Sequence, residues 1–160
     1  MHRLVYFGVP GRGEASRVAL ALSSLNWEDV EVNGEQFNEM RENGDLPWNM
    51  LPVLQTQNGT IAESSAILRY VGKFAGLIPN DAYQAAKVDE FMDGMGPLAR
   101  GLDTTFGISE QEERIRLRKE LFQPGGKCAD GLQIFDDKLA HSKSGWAANT
   151  ADMSIADLKL

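Results

Sequence analysis

Two short stretches hold the residues best suited to meet a ligand: Met50-Leu51-Pro52-Val53-Leu54, and Glu63-Ser64-Ser65, which begins nine residues after Leu54. Pro52 has no amide proton, so at the head of a strand it leaves the neighbouring backbone groups of Leu51 open to something else. That partner is a ligand, or Pro52 is an ordinary loop-to-strand proline. A cis Leu51-Pro52 bond, which proline alone makes inexpensive, would turn the Leu51 amide and carbonyl toward a cleft. Ser64 suits a helix N-cap, and Glu63 before it is either a solvated acid or part of a binding pair. Dithiol redox chemistry needs a Cys-x-x-Cys pair, whereas Cys128 is the single cysteine. With two scattered histidines, His2 and His141, it offers neither a metal site nor an internal disulfide framework.

Alternating strands and helices must position these residues. Arg3-Leu4-Val5-Tyr6-Phe7 reads as a strand in which every second side chain, Tyr6 among the candidates, faces a core. Gly8 to Gly13 breaks it, and Ala15, Val18, Ala19, Leu22 and Leu25 then recur at a helical period over Glu14 to Leu25. Trp27 to Val32 alternates as a half-buried strand, so the opening is a strand-helix-strand unit with a right-handed crossover. A short exposed helix is predicted over 35–43, with Phe37 and Met40 as its apolar pair. Val53 to Gln57, Asn58-Gly59 and Thr60 to Ala62 predict an antiparallel hairpin with a type I′ turn at Asn-Gly. A helix capped by Ser64 then runs to about Ala75, with Ile67, Leu68, Val71 and Phe74 on one face and Gly76 closing it.

The pattern changes after that glycine. An α/β domain over 1–76, a linker over 77–80 and an all-helical region over 81–160 are predicted, the last from the spacing of Val88, Phe91, Met92, Met95, Leu98 and Leu102. A further helix spans Glu110 to about Leu121, Gln123 to Gly126 interrupts, and Leu132, Phe135 and Leu139 resume the period. Near the end, Met153-Ser154-Ile155-Ala156-Asp157-Leu158 forms a capping box with its staple: Ser154 caps, Asp157 reaches back, and Met153 faces Leu158. A helix begun so close to Leu160 cannot stand on its own hydrogen bonds, which predicts a chain truncated at its C-terminus or, alternatively, a terminal turn docked on the core.

Composition narrows the partners. At 42% hydrophobic and 24% charged residues, the chain is an ordinary globular protein. It lacks a run of about 18 apolar residues and opens directly into a strand, so the default location is the cytosol, without a membrane span. A formal charge of −7 argues against nucleic acid or an anionic membrane surface, and an anionic ligand would need local basic residues.

Taken together, Leu4-Val5-Tyr6-Phe7, Gly11-Arg12-Gly13-Glu14, Met50-Leu51-Pro52-Val53-Leu54, Glu63-Ser64-Ser65-Ala66-Ile67-Leu68-Arg69-Tyr70 and Ser154-Ile155-Ala156-Asp157 resemble the cytosolic glutathione transferases. The motifs fall in family order, and the likeness is to the sigma class and its tyrosine-type neighbours. The resemblance implies a thioredoxin-like α/β domain followed by an all-α domain, here an incomplete helical bundle. It implies a detoxifying homodimer that conjugates glutathione, its co-substrate and no metal, to a hydrophobic electrophile.

By that resemblance Tyr6 is the catalytic hydroxyl that hydrogen-bonds the glutathione sulfur. Phe7, Arg12, Phe37, Arg41, Met50, Leu51, Pro52, Glu63 and Ser64 surround the tripeptide. Ser64 faces the γ-glutamyl carboxylate and Glu63 the ammonium, the Leu51 backbone pairs with the cysteinyl unit, and Phe37 and Arg41 lie toward the glycyl end. Arg12 lines the mouth of the electrophile site or braces its loop, and Asp157 serves the fold rather than catalysis. Three positions depart from the family. Met50 stands where relatives often hydrogen-bond the ligand. Gly96-Pro97 replaces an acidic residue that some relatives send across a dimer interface, with Asp93 one turn earlier as a substitute, and Pro97 would kink a long helix. Trp48 either matches an aromatic that some classes insert into a partner subunit or is a plain loop anchor. The alternative is a non-catalytic member of the same fold, a ligand carrier or structural protein.

Overall fold

The computed structural model describes residues 1–159. Strand β1 (His2–Phe7) buries Leu4, Val5 and Tyr6, and a 3-10 turn at Gly11–Gly13 leads into α1 (Glu14–Leu22). This helix ends three residues earlier than the apolar period implied. Ser23 turns extended there, and its hydroxyl donates to the Leu20 carbonyl at 2.8 Å, which favours leaving the helix. Strand β2 (Trp27–Val32) pairs in parallel with β1, with His2 opposite Trp27 and Phe7 opposite Val32. Helix α2 (Gly34–Glu42) opens on a reciprocal cap in which the Asn33 side chain accepts from the Gln36 N–H and the Gln36 side chain from the Asn33 N–H, both at 2.9 Å.

Strands β3 (Val53–Thr56) and β4 (Gly59–Ala62) form the hairpin, and the sheet order is β2-β1-β3-β4. The turn differs from the sequence expectation. Thr56 pairs with Gly59, so the loop is Gln57-Asn58, and of the Asn58-Gly59 pair only Gly59 has a positive φ, at 125°. The Thr56 hydroxyl accounts for this: it accepts the Asn58 N–H at 3.1 Å and donates to the Gly59 carbonyl at 2.8 Å, closing the turn one residue early. The Leu51-Pro52 peptide ahead of β3 is cis.

Helix α3 (Ser64–Phe74) buries Ile67, Leu68, Val71 and Gly72. Phe74 does not join that face: it is 46% exposed and tilts against Tyr70 with ring centroids 5.1 Å apart. Gly76 follows in the left-handed region with φ 70°, the position where a helix end favours glycine.

The rest is helical: α4 (Ala82–Gly94), α5 (Gly96–Asp103), α6 (Gln111–Leu121), α7 (Lys127–Ala140) and α8 (Ile155–Lys159). Pro97 splits α4 from α5 instead of kinking one long helix, because in the first turn of α5 its missing N–H has no partner to lose. Leu20 of α1, Ile67, Leu68 and Val71 of α3, Val88 and Met92 of α4, and Ile155 of α8 share one core with Leu4 and Leu54 of the sheet. That shared core binds the helical region directly to the sheet layer. At its centre α3 and α8 nearly touch, since a Cβ on Gly72 would stand 2.5 Å from Ile155 Cγ2. The capping box forms, with one difference: the Ser154 hydroxyl accepts from the Ala156 N–H at 3.3 Å, while Asp157 accepts from the Ser154 N–H at 2.8 Å. Met153 and Leu158 both pack on the core. Among the described residues no helix is long and apolar enough to cross a membrane.

Candidate active site

Tyr6, the penultimate residue of β1, has only 7% of its surface exposed, and the following glycine turn folds over its ring. A Cβ on Gly13 would stand 2.5 Å from Tyr6 Cδ1, and one on Gly11, whose φ is +44°, 2.8 Å from the hydroxyl oxygen. Only glycine permits so close an approach. The turn thereby brings the Arg12 N–H to donate to the Tyr6 hydroxyl oxygen at 3.1 Å. Among the described residues the phenol donates to nothing, so its own proton is free. Accepting one hydrogen bond polarises the hydroxyl and strengthens it as a donor. The Arg17 guanidinium lies 5.6 Å above the same ring.

Beside this turn opens a cavity of about 650 Å³. Gly11 and Arg12 line one side, Glu63 and Ser64 another, and Met92, Met95, Leu98, Ala99, Leu102, Phe106 and Leu158 supply an apolar wall. Tyr6 is not itself a wall; it sits one hydrogen bond behind Arg12. Arg12 lines the cavity and pairs through Nη2 with Asp103 Oδ2 at 2.5 Å, which ties the turn to α5.

At α3 the expected cap is corrected. Glu63, not Ser64, occupies the N-cap position, its side chain makes no capping bond, and Ser64 is the first helical residue. The reason is backbone conformation: Glu63 is held at φ 69°, a left-handed position that costs a non-glycine residue about 1–3 kcal/mol and that concentrates at ligand clamps. The turn leaves Glu63 and Ser64 both on the cavity.

The remaining candidates divide. Tyr6, Leu51, Phe7 and Phe37 share a second apolar cluster with Val5, Leu46 and Val53. Phe7 meets Phe37 edge-on at 5.5 Å, and the Arg41 guanidinium stands 5.5 Å above the Phe37 ring. Pro52 is buried, and neither the N–H nor the C=O of Leu51 enters a hydrogen bond among the described residues. Met50 is apart, 56% exposed. None of these lines the 650 Å³ cavity. Asp93 is held within its own chain by Arg69 at 2.7 Å, beside Asp89 at 2.5 Å. Trp48 is 68% exposed.

Phe106, Asp103 and Lys159 line the cavity but were not legible in the sequence. Asp103 answers Arg12 from 91 positions away. Lys159 points its ammonium at the Ser64 hydroxyl, Nζ to Oγ 3.4 Å, across 95 positions. Burial first, and then the nearby Arg12 and Arg69 charges, hold the Lys159 pKa below the ordinary lysine value. The helical period marks Leu158 as core-facing but carries no signal for where its neighbour's charge ends.

Residues 2–73 match the family model for the glutathione S-transferase N-terminal domain. The chain is similar to the glutathione S-transferase P of Bos taurus, with 34% identity over 99% of this chain and 73% of that protein. Its fold matches a prostaglandin synthase D of Nilaparvata lugens at a TM-score of 0.86, with 24% identity over 99% of this chain and 77% of that one. It also matches a monomeric glutathione S-transferase of the hookworm Necator americanus at 0.77, with 25% identity over 99% and 76%.

Proposed function

The chain belongs to the glutathione S-transferase family, and from that premise we propose that it ionises the glutathione thiol beside Tyr6 and delivers the thiolate to an apolar electrophile. The observation that carries the reading is the Arg12 N–H bond to Tyr6, which uses the hydroxyl as an acceptor and leaves its proton without a partner among the described residues, directly behind the turn that lines the cavity. A free thiol has a pKa of about 8.5, so at neutral pH only a few per cent is the nucleophile. A hydrogen bond to a charged group contributes roughly 1.5–3 kcal/mol, and each pKa unit needs about 1.36 kcal/mol. One tyrosine therefore lowers the thiol pKa by about one to two units. The thiol proton passes to solvent, the sulfur lone pair then forms the bond to the electrophilic carbon, and the displaced pair leaves with the leaving group or moves into the acceptor.

The tripeptide would lie along the strip from Phe37 to Ser64. The unused N–H and C=O of Leu51 suit antiparallel pairing with the cysteinyl unit beside Pro52 and Met50. Glu63 takes the ammonium and Ser64 the γ-glutamyl carboxylate, while Arg41, stacked on Phe37, faces the glycyl carboxylate. Phe7, packed edge-on against Phe37 and in one apolar cluster with Leu51, adds to that strip. The electrophile rests on Met92, Met95, Leu98, Leu102 and Phe106, with Arg12 at its mouth. The class closest in chemistry is the sigma-like, tyrosine-type one, acting in the cytosol, with exposed Trp48 as the contact for a second copy.

The test is the pH titration of bound glutathione by thiolate ultraviolet absorbance, in this protein and in Tyr6→Phe. The bound thiol should ionise well below 8.5 and return toward it in the variant. An unshifted thiol in bound glutathione, or no binding, moves the function to a carrier or structural role.

A further inference from the structure

The Lys159 ammonium and the Arg100 guanidinium are the cavity-lining cations that form no ion pair among the described residues, and of the two Arg100 is exposed on α5 while Lys159 is half-buried. Arg12 is neutralised by Asp103, and Arg69 by Asp89 and Asp93, yet among the described residues Lys159 forms no ion pair. It is half-buried and faces the Arg12 and Arg69 charges, with Glu63 and Ser64 on the same cavity wall. Among the described residues its single polar contact is the hydroxyl of Ser64, itself only 9% exposed. Removing a cation from water without a counter-ion is unfavourable, and an anion placed between Lys159 and Ser64 reverses that balance.

We propose that Lys159 is a carboxylate-binding cation of this site, holding the γ-glutamyl carboxylate of glutathione against Ser64. The proposal rests on the glutathione-binding reading above and adds a ligand-contacting residue from the helical region to it. In a protein of net charge −7 this cation supplies, at the γ-glutamyl end, the local positive charge that an anionic tripeptide requires. A charge-assisted hydrogen bond from Nζ, added to one from the Ser64 hydroxyl, also fixes the tripeptide's register along the strip.

The test compares glutathione with its analogue 4-aminobutyryl-cysteinyl-glycine, which keeps the ammonium and thiol but lacks the γ-glutamyl carboxylate. Binding of both is measured by calorimetry to the unaltered protein, Lys159→Met and Lys159→Arg, with melting curves to verify folding. Lys159→Met should weaken glutathione by about tenfold to a hundredfold and leave the analogue within about twofold, while Lys159→Arg retains most of the affinity. Equal weakening of both ligands would mean that Lys159 only shapes the pocket, and undiminished glutathione binding by Lys159→Met would remove its role; either overturns the proposal. A KM rise confined to a carboxylate-bearing electrophile, with glutathione binding intact, overturns it in favour of a second-substrate contact. If the unaltered protein binds no glutathione, the functional reading fails together with this one; if it binds and Lys159→Met binds equally, only this one fails.

Discussion

The backbone N–H of Arg12 donates to the hydroxyl of Tyr6 at 3.1 Å while the side chain of the same residue pairs with Asp103 at 2.5 Å. One residue thus joins the phenol, the loop above it and helix α5. The two bonds separate cleanly, because a side-chain substitution breaks the ion pair and leaves the backbone donor in place.

The glycine turn should be as sensitive as the tyrosine it covers. In Gly13→Ala the new methyl would meet Tyr6 Cδ1 at 2.5 Å, so ring or loop must move. Overpacking of this kind costs about 1–3 kcal/mol in stability, and a displacement on the order of 1 Å can lower turnover about a hundredfold. Thiolate absorbance and kcat should both fall while circular dichroism stays near that of the unaltered protein; unchanged thiol ionisation would show that the ring position does not matter.

Breaking the ion pair should touch substrate binding and little else. The Arg12 and Asp103 side chains are 43% and 41% exposed, so Arg12→Ala and Asp103→Asn should each shift stability by no more than about 1 kcal/mol. Thiol titration should be retained in both, and KM for an apolar electrophile should rise. The double variant should be no worse than either single one, as expected for two partners in one interaction; additive effects in the double-mutant cycle would refute the pairing.

Asp157 should prove structural. Its Oδ1 accepts from the Ala147 N–H at 2.7 Å and its Oδ2 from the Ser154 N–H at 2.8 Å, at two buried positions. Asp157→Ala strands both donors at about 1–3 kcal/mol each. A loss of about 3 kcal/mol is expected, or a fall of roughly 6–12 °C in Tm for a chain of this size. A melting curve decides it, and Asp157→Asn, which keeps one acceptor, should fall between.

Stability at alkaline pH should report on Lys159. Its pKa is lowered by burial and by Arg12 and Arg69, so the folded state binds fewer protons than the unfolded state in the window just below 10.5. Stability therefore rises with pH through that window, and the handicap is fully present below it. Ligand-free Lys159→Met should be more stable than the parent at neutral pH, with the difference shrinking above the window. Saturating glutathione should reverse the order at neutral pH, since the ligand stabilises most the form it binds best. Chemical denaturation across pH 7 to about 11, with and without ligand, measures both.

Local chemistry made much of this molecule legible in advance. The alternation of Trp27 to Val32, the helical spacing of Ile67, Leu68 and Val71, and the reach of Asp157 back to Ser154 all act within a few residues. Short-range sterics and hydrogen bonds decide such features, and the chain spells them out. Side-chain competition already blurs them: Thr56 moved the hairpin turn, and the strained backbone of Glu63 displaced Ser64 from its cap. Beyond that range apolar periodicity says which face is buried and nothing about what covers it. Arg12 finding Asp103, and Lys159 finding Ser64, are consequences of α5 and α8 docking beside α1 and α3. They join residues 91 and 95 positions apart, and only the packing of the shared core could bring those charges together.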